Sequence, residues 1–209
     1  KQIEIINQLV AQNVAGIAIA ANDADALQPA LTEAMDAGIK VISLDSAVNK
    51  DSRQTHIQQA DPEKIGRGLI QAAYEMVDGN GGIAVLSATA QATNQNLWIE
   101  WMKKELEENP EKYANTPLVK VAYGDDDPTK STSETQALLT DSSIKVIIAP
   151  TTVGMLAAGK VLQDKQSDVK LTGLGLPSEM APFIEDGTCP WMYPVSYTHL
   201  RAHETGAYL

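Results

Sequence analysis

The feature that most constrains the fold is an alternation of short β-branched runs with longer segments of helical periodicity. Runs such as 83–87 and 145–149 are followed by segments whose apolar residues recur three and four positions apart. This alternation is typical of parallel strands joined by helical crossovers, because a parallel strand can follow its neighbour only after a long connection. The sequence therefore predicts an α/β fold.

The predicted strands and helices occupy most of the chain. Strands are expected at 16–20, 40–44, 55–59, 83–87, 118–123, 145–149 and 170–174. Helices are expected at 23–37, 62–77, 93–108, 128–139, 152–163 and 178–186. Proline follows aspartate at the start of two of these helices, at Pro62 and Pro128. This pair is typical of helix starts, because aspartate accepts from free amides and proline has no amide to leave unpaired.

These elements predict two lobes with parallel sheets. The boundary is expected between Gln59 and Pro62, with an N-terminal lobe over 1–60 and a C-terminal lobe over 61–188. No strand precedes the apolar helix face of the first sixteen residues, so the chain is expected to begin within a lobe. The alternation stops after Thr188, and residues 189–209 are expected to be foreign to the fold.

Composition narrows the classes of function. A net charge of −11 argues against binding nucleic acid or an anionic membrane, since both would repel the chain. No apolar run approaches the roughly 20 residues of a membrane-spanning helix. The single cysteine, Cys189, cannot form an internal disulfide and does not indicate a compartment. Neutral or polar small molecules are the partners that the composition favours.

Function is expected in the loops at the carboxyl ends of the strands, where ligands bind in open parallel sheets. Asp45 ends a strand there, and its carboxylate can accept two hydroxyl hydrogen bonds from one sugar, or alternatively cap a turn. Asn94 and Gln95 offer donors and acceptors that match hydroxyl groups. They could also cap the following helix, but one side chain of the run 93–96 would suffice for that. The surplus favours a polar ligand.

Other notable residues give weaker signals. Trp98 and Trp101 could stack on a sugar ring, but their helical spacing among apolar residues favours packing. The acidic run 125–127 lacks the spacing of a calcium loop and is interpreted as a strand end with a helix cap. His199 and His203 have metal-ligand spacing but belong to the tail, and no metal or cofactor is expected. No nucleophile and base stand out, so the sequence favours binding without catalysis.

Six motifs of the chain resemble those of a known family. They are AANDADALQPALTEAMDAGIKVISLDS, QQADPEKIG, LSATAQATNQNLWIEWMKKEL, YGDDDPTKS, VIIAPTTVGMLAAG and TGLGLPSEM. With these motifs the chain, from Lys1 to about Thr188, resembles the periplasmic sugar-binding proteins of ABC importers, of the type I fold, within the branch that holds rhamnose-binding and autoinducer-2-binding proteins. The resemblance implies two Rossmann-like lobes that close on a small polyol, and a chain that is incomplete at both ends. The lobes are expected to move about hinges that include residues 59–62.

The resemblance also implies ligand-binding residues. The family's contacts fall on Asp45, Asn94, Gln95, Pro150, Thr151 and Thr152. Asn94 stands where autoinducer-2 receptors carry aspartate, and Thr151-Thr152 stand where they carry Asp-Ala. These differences favour a rhamnose-like sugar, with autoinducer-2 as the alternative. The implied partner is a membrane permease, and the implied protein is a periplasmic or lipoprotein-anchored extracellular monomer.

Two further hypotheses concern the tail and the class of function. The run SYTHLRAHET, at 196–205, resembles a translated sequencing adapter, which predicts a truncated gene with artefactual residues from near Cys189. The same two-lobed module also serves as the sensing domain of transcription regulators, where a helix-turn-helix domain would precede it. An enzyme acting on a sugar is the third alternative, and it would need a general base that these loops lack apart from Asp45.

Overall fold

A computed structural model describes residues 1–58 and 60–194. Helices and parallel strands alternate along it, as the α/β prediction requires. The elements, in chain order, are α1 Gln2–Ala11, β1 Gly16–Ile19, α2 Ala24–Asp36, β2 Lys40–Leu44, a 3₁₀ turn Lys50–Ser52, β3 Thr55–Ile57, α3 Pro62–Met76, β4 Gly82–Ser87, α4 Thr93–Glu108, β5 Leu118–Tyr123, α5 Pro128–Leu138, β6 Ile144–Ala149, α6 Thr152–Asp164, β7 Lys170–Gly175, α7 Pro177–Glu185 and β8 Tyr193–Pro194. Among the described helices, none combines the length and apolar character needed to span a bilayer.

Contacts between residues divide the described chain into two units. The first unit comprises Lys1–Asp61, apart from Gln59, together with Gln91–Asn96. The second unit comprises Pro62–Ala90 and the described residues from Leu97 onward. The first turn of α4 therefore belongs, by its contacts, to the first unit, while the rest of that helix belongs to the second.

The first unit is built on a three-stranded parallel sheet in the order β1-β2-β3. Side chains from β1, β2, α1 and α2 form its core, with Leu31 and Val41 fully buried. Asp23 caps α2, since its Oδ1 accepts from the amide of Ala26 at 2.9 Å. The carboxyl end of the central strand β2 leads directly to Asp45, so the sheet fixes where that residue emerges.

The second unit is built on a parallel sheet in the order β5-β4-β6-β7-β8. Alternate residues of β4 and β6 enter two different apolar clusters, which shows that helices cover both faces of the sheet. Helices α3 and α4 pack on one face, and α5, α6 and α7 pack on the other. Because β4 is buried along its whole length, its sequence is an apolar run rather than an alternation.

The two tryptophans of α4 have packing roles in the second unit. Trp98 is 3% exposed and lies in the cluster with residues of α3. The Trp101 ring lies 4.0 Å from Lys104 Nζ and 5.2 Å from Arg67 Cζ, measured to the ring centroid, so two cations hold it. Packing, which the helical spacing favoured, is therefore the role that the structure gives Trp98.

The chain after Thr188 differs from the expectation that the fold ends there. Cys189 is fully buried in the cluster on α7, and its amide donates to the carbonyl oxygen of Phe183 at 2.7 Å. The Thr172 hydroxyl donates to the carbonyl oxygen of Trp191 at 2.8 Å, and Tyr193 pairs with Leu174 of β7. The segment from Cys189 to Pro194 thus packs as part of the second unit. Periodicity could not reveal it, because its contacts come from backbone pairing and single buried side chains.

A buried carboxylate joins α3 to α4 in the second unit. Glu105 is 4% exposed and accepts hydrogen bonds from Arg67 Nη1 and the Tyr113 hydroxyl, both at 2.8 Å, and from Gln71 Nε2 at 3.2 Å. Burial alone would raise the pKa of Glu105, but the bonds from Arg67, Tyr113 and Gln71 outweigh it, so that the pKa lies below its ordinary value. A carboxyl group with a lowered folded-state pKa stabilises the fold above its unfolded pKa, and this contribution is lost as the pH falls through the folded pKa.

Replacement of this carboxylate predicts a loss of stability that depends on pH. Glu105→Gln should lower the free energy of unfolding at pH 7 by about 2 kcal/mol, since it puts a neutral amide in place of the buried one of the three carboxylates that pair with Arg67. The free energy of unfolding of this variant should also fall less between pH 7 and pH 4 than that of the unmodified protein. Urea unfolding at pH 7 and at pH 4 measures both effects. Glu107→Gln, on the exposed side of the same helix, is the matched control, and equal losses in the two variants would contradict the prediction.

Candidate functional site

Asp45 leaves β2 in a conformation that is unusual for its residue type. Its φ is 57°, in the left-handed region, which aspartate adopts more readily than most residues other than glycine. Its Oδ1 accepts a hydrogen bond from Asn94 Nδ2 at 3.2 Å. Two of the residues that the sequence singled out are therefore in contact within the first unit, although 49 positions separate them.

The electrostatic surroundings of Asp45 suit an acceptor of hydroxyl hydrogen bonds. Burial raises the pKa of its carboxyl above the usual value, and the bond from Asn94 and the charge of His56 offset part of that rise. A carboxylate with reduced access to water forms stronger hydrogen bonds to a ligand than an exposed one does. Gln95 follows in the same helical turn and is 8% exposed, and its backbone N–H donates to Asn94 Oδ1 at 2.8 Å.

Two hydroxyl groups fasten the residues after Asp45 to the first turn of α4. The Thr93 hydroxyl donates to the carbonyl oxygen of Ala47 at 3.1 Å, and the Ser46 and Thr93 hydroxyl oxygens are 2.9 Å apart. A hydroxyl has one hydrogen, so Thr93 accepts from Ser46. The predicted surplus of polar residues at the start of α4 is thus explained in part by anchoring, and Ser46 is a contributor that the sequence analysis missed.

The predicted contacts of the second unit lie between β6 and α6. Pro150 and Thr151 follow β6, and Thr152 is the first residue of α6. Thr151 is 7% exposed and occupies the N-cap position, yet its hydroxyl makes no capping bond to the helix. The hydroxyl instead donates to Asp126 Oδ1 at 2.6 Å. Pro150, Thr151 and Thr152 are therefore placed together by the chain, and Asp126 joins them.

The three carboxylates of the acidic run 125–127 make three different contacts. Asp127 caps α5 as predicted, since its Oδ1 accepts from the amide of Lys130 at 2.7 Å. Asp125 pairs with the ammonium group of Lys130, and Asp126 accepts from Thr151. In the described part of the chain, no group of three or more His, Cys, Asp or Glu side chains could hold a metal ion. His199 and His203 lie outside the described residues.

A serine and a histidine meet in the first unit, which the sequence analysis did not anticipate. Ser43 Oγ lies 2.9 Å from His56 Nδ1 and accepts from Arg53 Nη1 at 3.0 Å. His56 Nε2 donates to Gln58 Oε1 at 3.1 Å. The hydrogen between Ser43 and His56 can come from either residue, because a hydroxyl oxygen that accepts one bond can accept a second. Ser43 is fully buried, so no substrate can reach its hydroxyl. The pair is a structural link between β2 and β3.

Comparison with known proteins adds to this geometry. Residues 1–197 match the family model described as a periplasmic binding protein domain. An ABC transporter solute-binding protein from Clostridium phytofermentas, solved with bound L-rhamnose, is 51% identical over 92% of this chain and 61% of its own, with a TM-score of 0.88. A sugar ABC transporter structure from Actinomyces odontolyticus is 42% identical over 90% of this chain and 61% of its own, with a TM-score of 0.62.

A third similar structure has a different ligand. LsrB from Clostridium saccharobutylicum, in complex with AI-2, is 26% identical over 90% of this chain and 61% of its own, with a TM-score of 0.81. The chain therefore spans about three fifths of the length of the solved structures that it matches. The proteins from Clostridium phytofermentas and Clostridium saccharobutylicum thus share this fold and were solved with different ligands.

Proposed function

Because the chain belongs to the periplasmic binding protein domain family, we propose that it is the sugar-binding component of an ABC importer and that its ligand is L-rhamnose or a closely similar sugar. Members of this family bind solutes and are not enzymes. The observation that carries the choice of sugar is the 51% identity to the L-rhamnose-bound protein, against 26% to the AI-2-bound one. The differences at Asn94 and at Thr151-Thr152 from the autoinducer-2 receptors support the same choice.

The proposed ligand contacts are the six residues at the strand ends. They are Asp45, Asn94 and Gln95 in the first unit and Pro150, Thr151 and Thr152 in the second. The carboxylate of Asp45 accepts from sugar hydroxyls, while the side-chain amides both donate and accept. The bond from Asn94 to Asp45 supports this assignment, because it fixes the orientation of the amide before a ligand arrives.

The proposed function also implies a partner and a location. The loaded protein delivers its sugar to the membrane permease of the importer, either in the periplasm or from an extracellular lipoprotein anchor. The net charge of −11 is consistent with a protein that binds a neutral ligand and no nucleic acid. We propose that the protein acts as a monomer in this exchange.

A second candidate ligand is autoinducer-2. The LsrB structure with AI-2 supports it, since its fold matches this chain with a TM-score of 0.81. Both candidates are small polyols whose hydroxyl groups suit the same carboxylate and amides. They differ in shape, so a direct comparison of affinities distinguishes them.

Titration calorimetry with L-rhamnose and autoinducer-2, side by side, tests the proposal. We expect L-rhamnose to bind with a dissociation constant in the micromolar range or below, and autoinducer-2 to bind at least about tenfold more weakly. D-glucose, whose hydroxyls have a different configuration, serves as the control for non-specific association. Tighter binding of autoinducer-2 would keep the receptor function and reverse the choice of ligand. Absence of heat with both compounds would contradict the proposed ligand class.

A further inference from the structure

The Thr151 hydroxyl is directed away from the role that its position would ordinarily give it. Threonine at an N-cap usually accepts a hydrogen bond from an amide in the first turn of the helix. Thr151 has the extended backbone of an N-cap, with φ −152° and ψ 138°, but makes no such bond. Its hydroxyl donates to Asp126 Oδ1 at 2.6 Å, a distance typical of a hydroxyl bonded to a charged carboxylate.

The loop that holds Asp126 has a defined backbone conformation. Asp125 and Asp126 both have left-handed backbones, with φ 53° and 52°, between β5 and α5. The loop is fixed by backbone bonds from Asp125 N to Ala88 O at 2.9 Å and from Asp127 N to Gly124 O at 2.9 Å. Two adjacent left-handed residues are uncommon outside glycine and carry a cost in conformational energy. That cost is retained in a loop whose middle side chain contacts Thr151.

The bond to Asp126 limits what the Thr151 hydroxyl can offer a ligand. A hydroxyl has one hydrogen and two lone pairs, whereas an ionised carboxylate can only accept. Once the Thr151 hydrogen is used on Asp126, the Thr151 oxygen can offer a ligand nothing except an acceptor. The group that meets it must then be a donor, such as a hydroxyl group of a sugar.

Resting on the proposed function, we propose that Asp126 is a positioning residue that makes Thr151 an acceptor for one hydroxyl group of the bound sugar, and so helps to determine which sugars bind. Asp126 acts through Thr151 and does not itself contact the ligand. A sugar that lacks the hydroxyl at that position leaves the buried Thr151 oxygen without a donor, which is penalised more than the loss of an exposed bond.

The chain offers a matched pair of variants for the test. Asp126→Asn removes the acceptor-only group, because the asparagine amide can donate to Thr151 and free its hydrogen. Asp125→Asn removes the same charge one residue earlier, at the same backbone conformation, but Asp125 pairs with Lys130 rather than Thr151. Asparagine tolerates the left-handed region, so neither substitution should disturb the loop. Thermal unfolding without sugar checks that both variants fold.

The experiment measures dissociation constants for L-rhamnose and for its 2-, 3- and 4-deoxy derivatives by calorimetry. Asp126→Asn should weaken rhamnose binding about three- to tenfold, and Asp125→Asn should leave it unchanged. One deoxy derivative should bind the unmodified protein about tenfold more weakly than rhamnose, and this discrimination should fall in Asp126→Asn and disappear in Thr151→Val. In the Thr151→Val background, Asp126→Asn should have no additional effect.

The outcomes separate this inference from the function on which it rests. An additive loss when both residues are replaced, or a uniform loss for all four sugars, would mean that Asp126 has only a structural role and would overturn the inference. An unchanged rhamnose affinity in Asp126→Asn would also overturn it, with the proposed function intact. If the unmodified protein binds neither rhamnose nor its derivatives, the proposed ligand is wrong and the role of Asp126 falls with it.

Discussion

Asp45→Ala is expected to weaken L-rhamnose binding by more than tenfold. Asp45 is the proposed acceptor of sugar hydroxyls in the first unit, and a hydrogen bond to a charged group contributes about 1.5 to 3 kcal/mol. Since about 1.4 kcal/mol corresponds to tenfold in affinity, the loss of one such bond is sufficient. Calorimetric titration of the variant measures the effect. Asp36→Ala, which removes an exposed carboxylate from the last turn of α2, is the control for the change in net charge.

The stability of the sugar-free protein should rise when asparagine replaces Asp45, although the affinity for sugar should fall. Burial raises the pKa of Asp45 above its unfolded value, so folding disfavours the ionised form. The stability from such a group is fully present below the unfolded pKa and is lost as the pH rises through the folded pKa. At neutral pH, Asp45→Asn should therefore raise the melting temperature of the sugar-free protein. Asparagine is the suitable replacement here, because it tolerates the φ of 57°.

Opposite changes in affinity and in stability distinguish a ligand-binding carboxylate from a structural one. A residue that serves the fold loses stability and affinity together, whereas a ligand-binding residue that the fold holds at a cost loses affinity alone. The affinity of the unmodified protein for rhamnose should also fall as the pH drops through the raised pKa of Asp45, because the protonated group is a poorer acceptor. That pH dependence should be absent in Asp45→Asn. A lower melting temperature together with unchanged affinity would remove Asp45 from the site.

The architecture could be predicted from the sequence because its strongest signals are local. Strands such as β4 and β6 are buried on both faces and form apolar runs, and the intervening helices have capping residues such as Asp127. The resemblance to periplasmic sugar-binding proteins is confirmed by the family match over residues 1–197. The segment from Cys189 to Pro194 was missed because its place beside β7 depends on pairing with a strand about 19 residues earlier, which leaves no periodic trace.

The candidate site could be predicted only as a set of separate residues. The contact between Asp45 and Asn94 and the link from Ser46 to Thr93 join positions 49 and 47 residues apart, and nothing in either segment alone reveals the other. The bond from Thr151 to Asp126 is similarly long in sequence, at 25 residues. Residue types therefore indicated hydroxyl chemistry, while the tertiary fold decides which donors and acceptors remain for a ligand. The identity of the sugar and the six ligand contacts stay predictions until binding is measured.

The second large effect is expected at Gly173, in the middle of β7. Its φ is 153°, and a Cβ added there would lie 1.9 Å from the carbonyl oxygen of Ala149 and 2.6 Å from the carbonyl carbon. Ala149 is its partner in the parallel pairing of β6 with β7. Both contacts are with backbone atoms, which cannot rotate away as a side chain can. An alanine at this position must therefore separate the two strands at the point where they pair.

Gly173→Ala is accordingly expected to lower the free energy of unfolding by about 3 kcal/mol or more, since overpacking and backbone strain each cost about 1 to 3 kcal/mol. Gly187→Ala separates the two terms, because Gly187 also has a positive φ, of 80°, but no described atom lies within 4 Å of an added Cβ. Gly187→Ala should lower the free energy of unfolding by about 1 kcal/mol, from backbone strain alone. Urea unfolding followed by circular dichroism measures both variants, and similar losses would show that the sheet accommodates the methyl group.

Because Ala149 is the last residue of β6 and directly precedes residues 150–152, a displaced Ala149 should weaken sugar binding as well. The folded fraction of Gly173→Ala should therefore bind rhamnose less tightly than Gly187→Ala does.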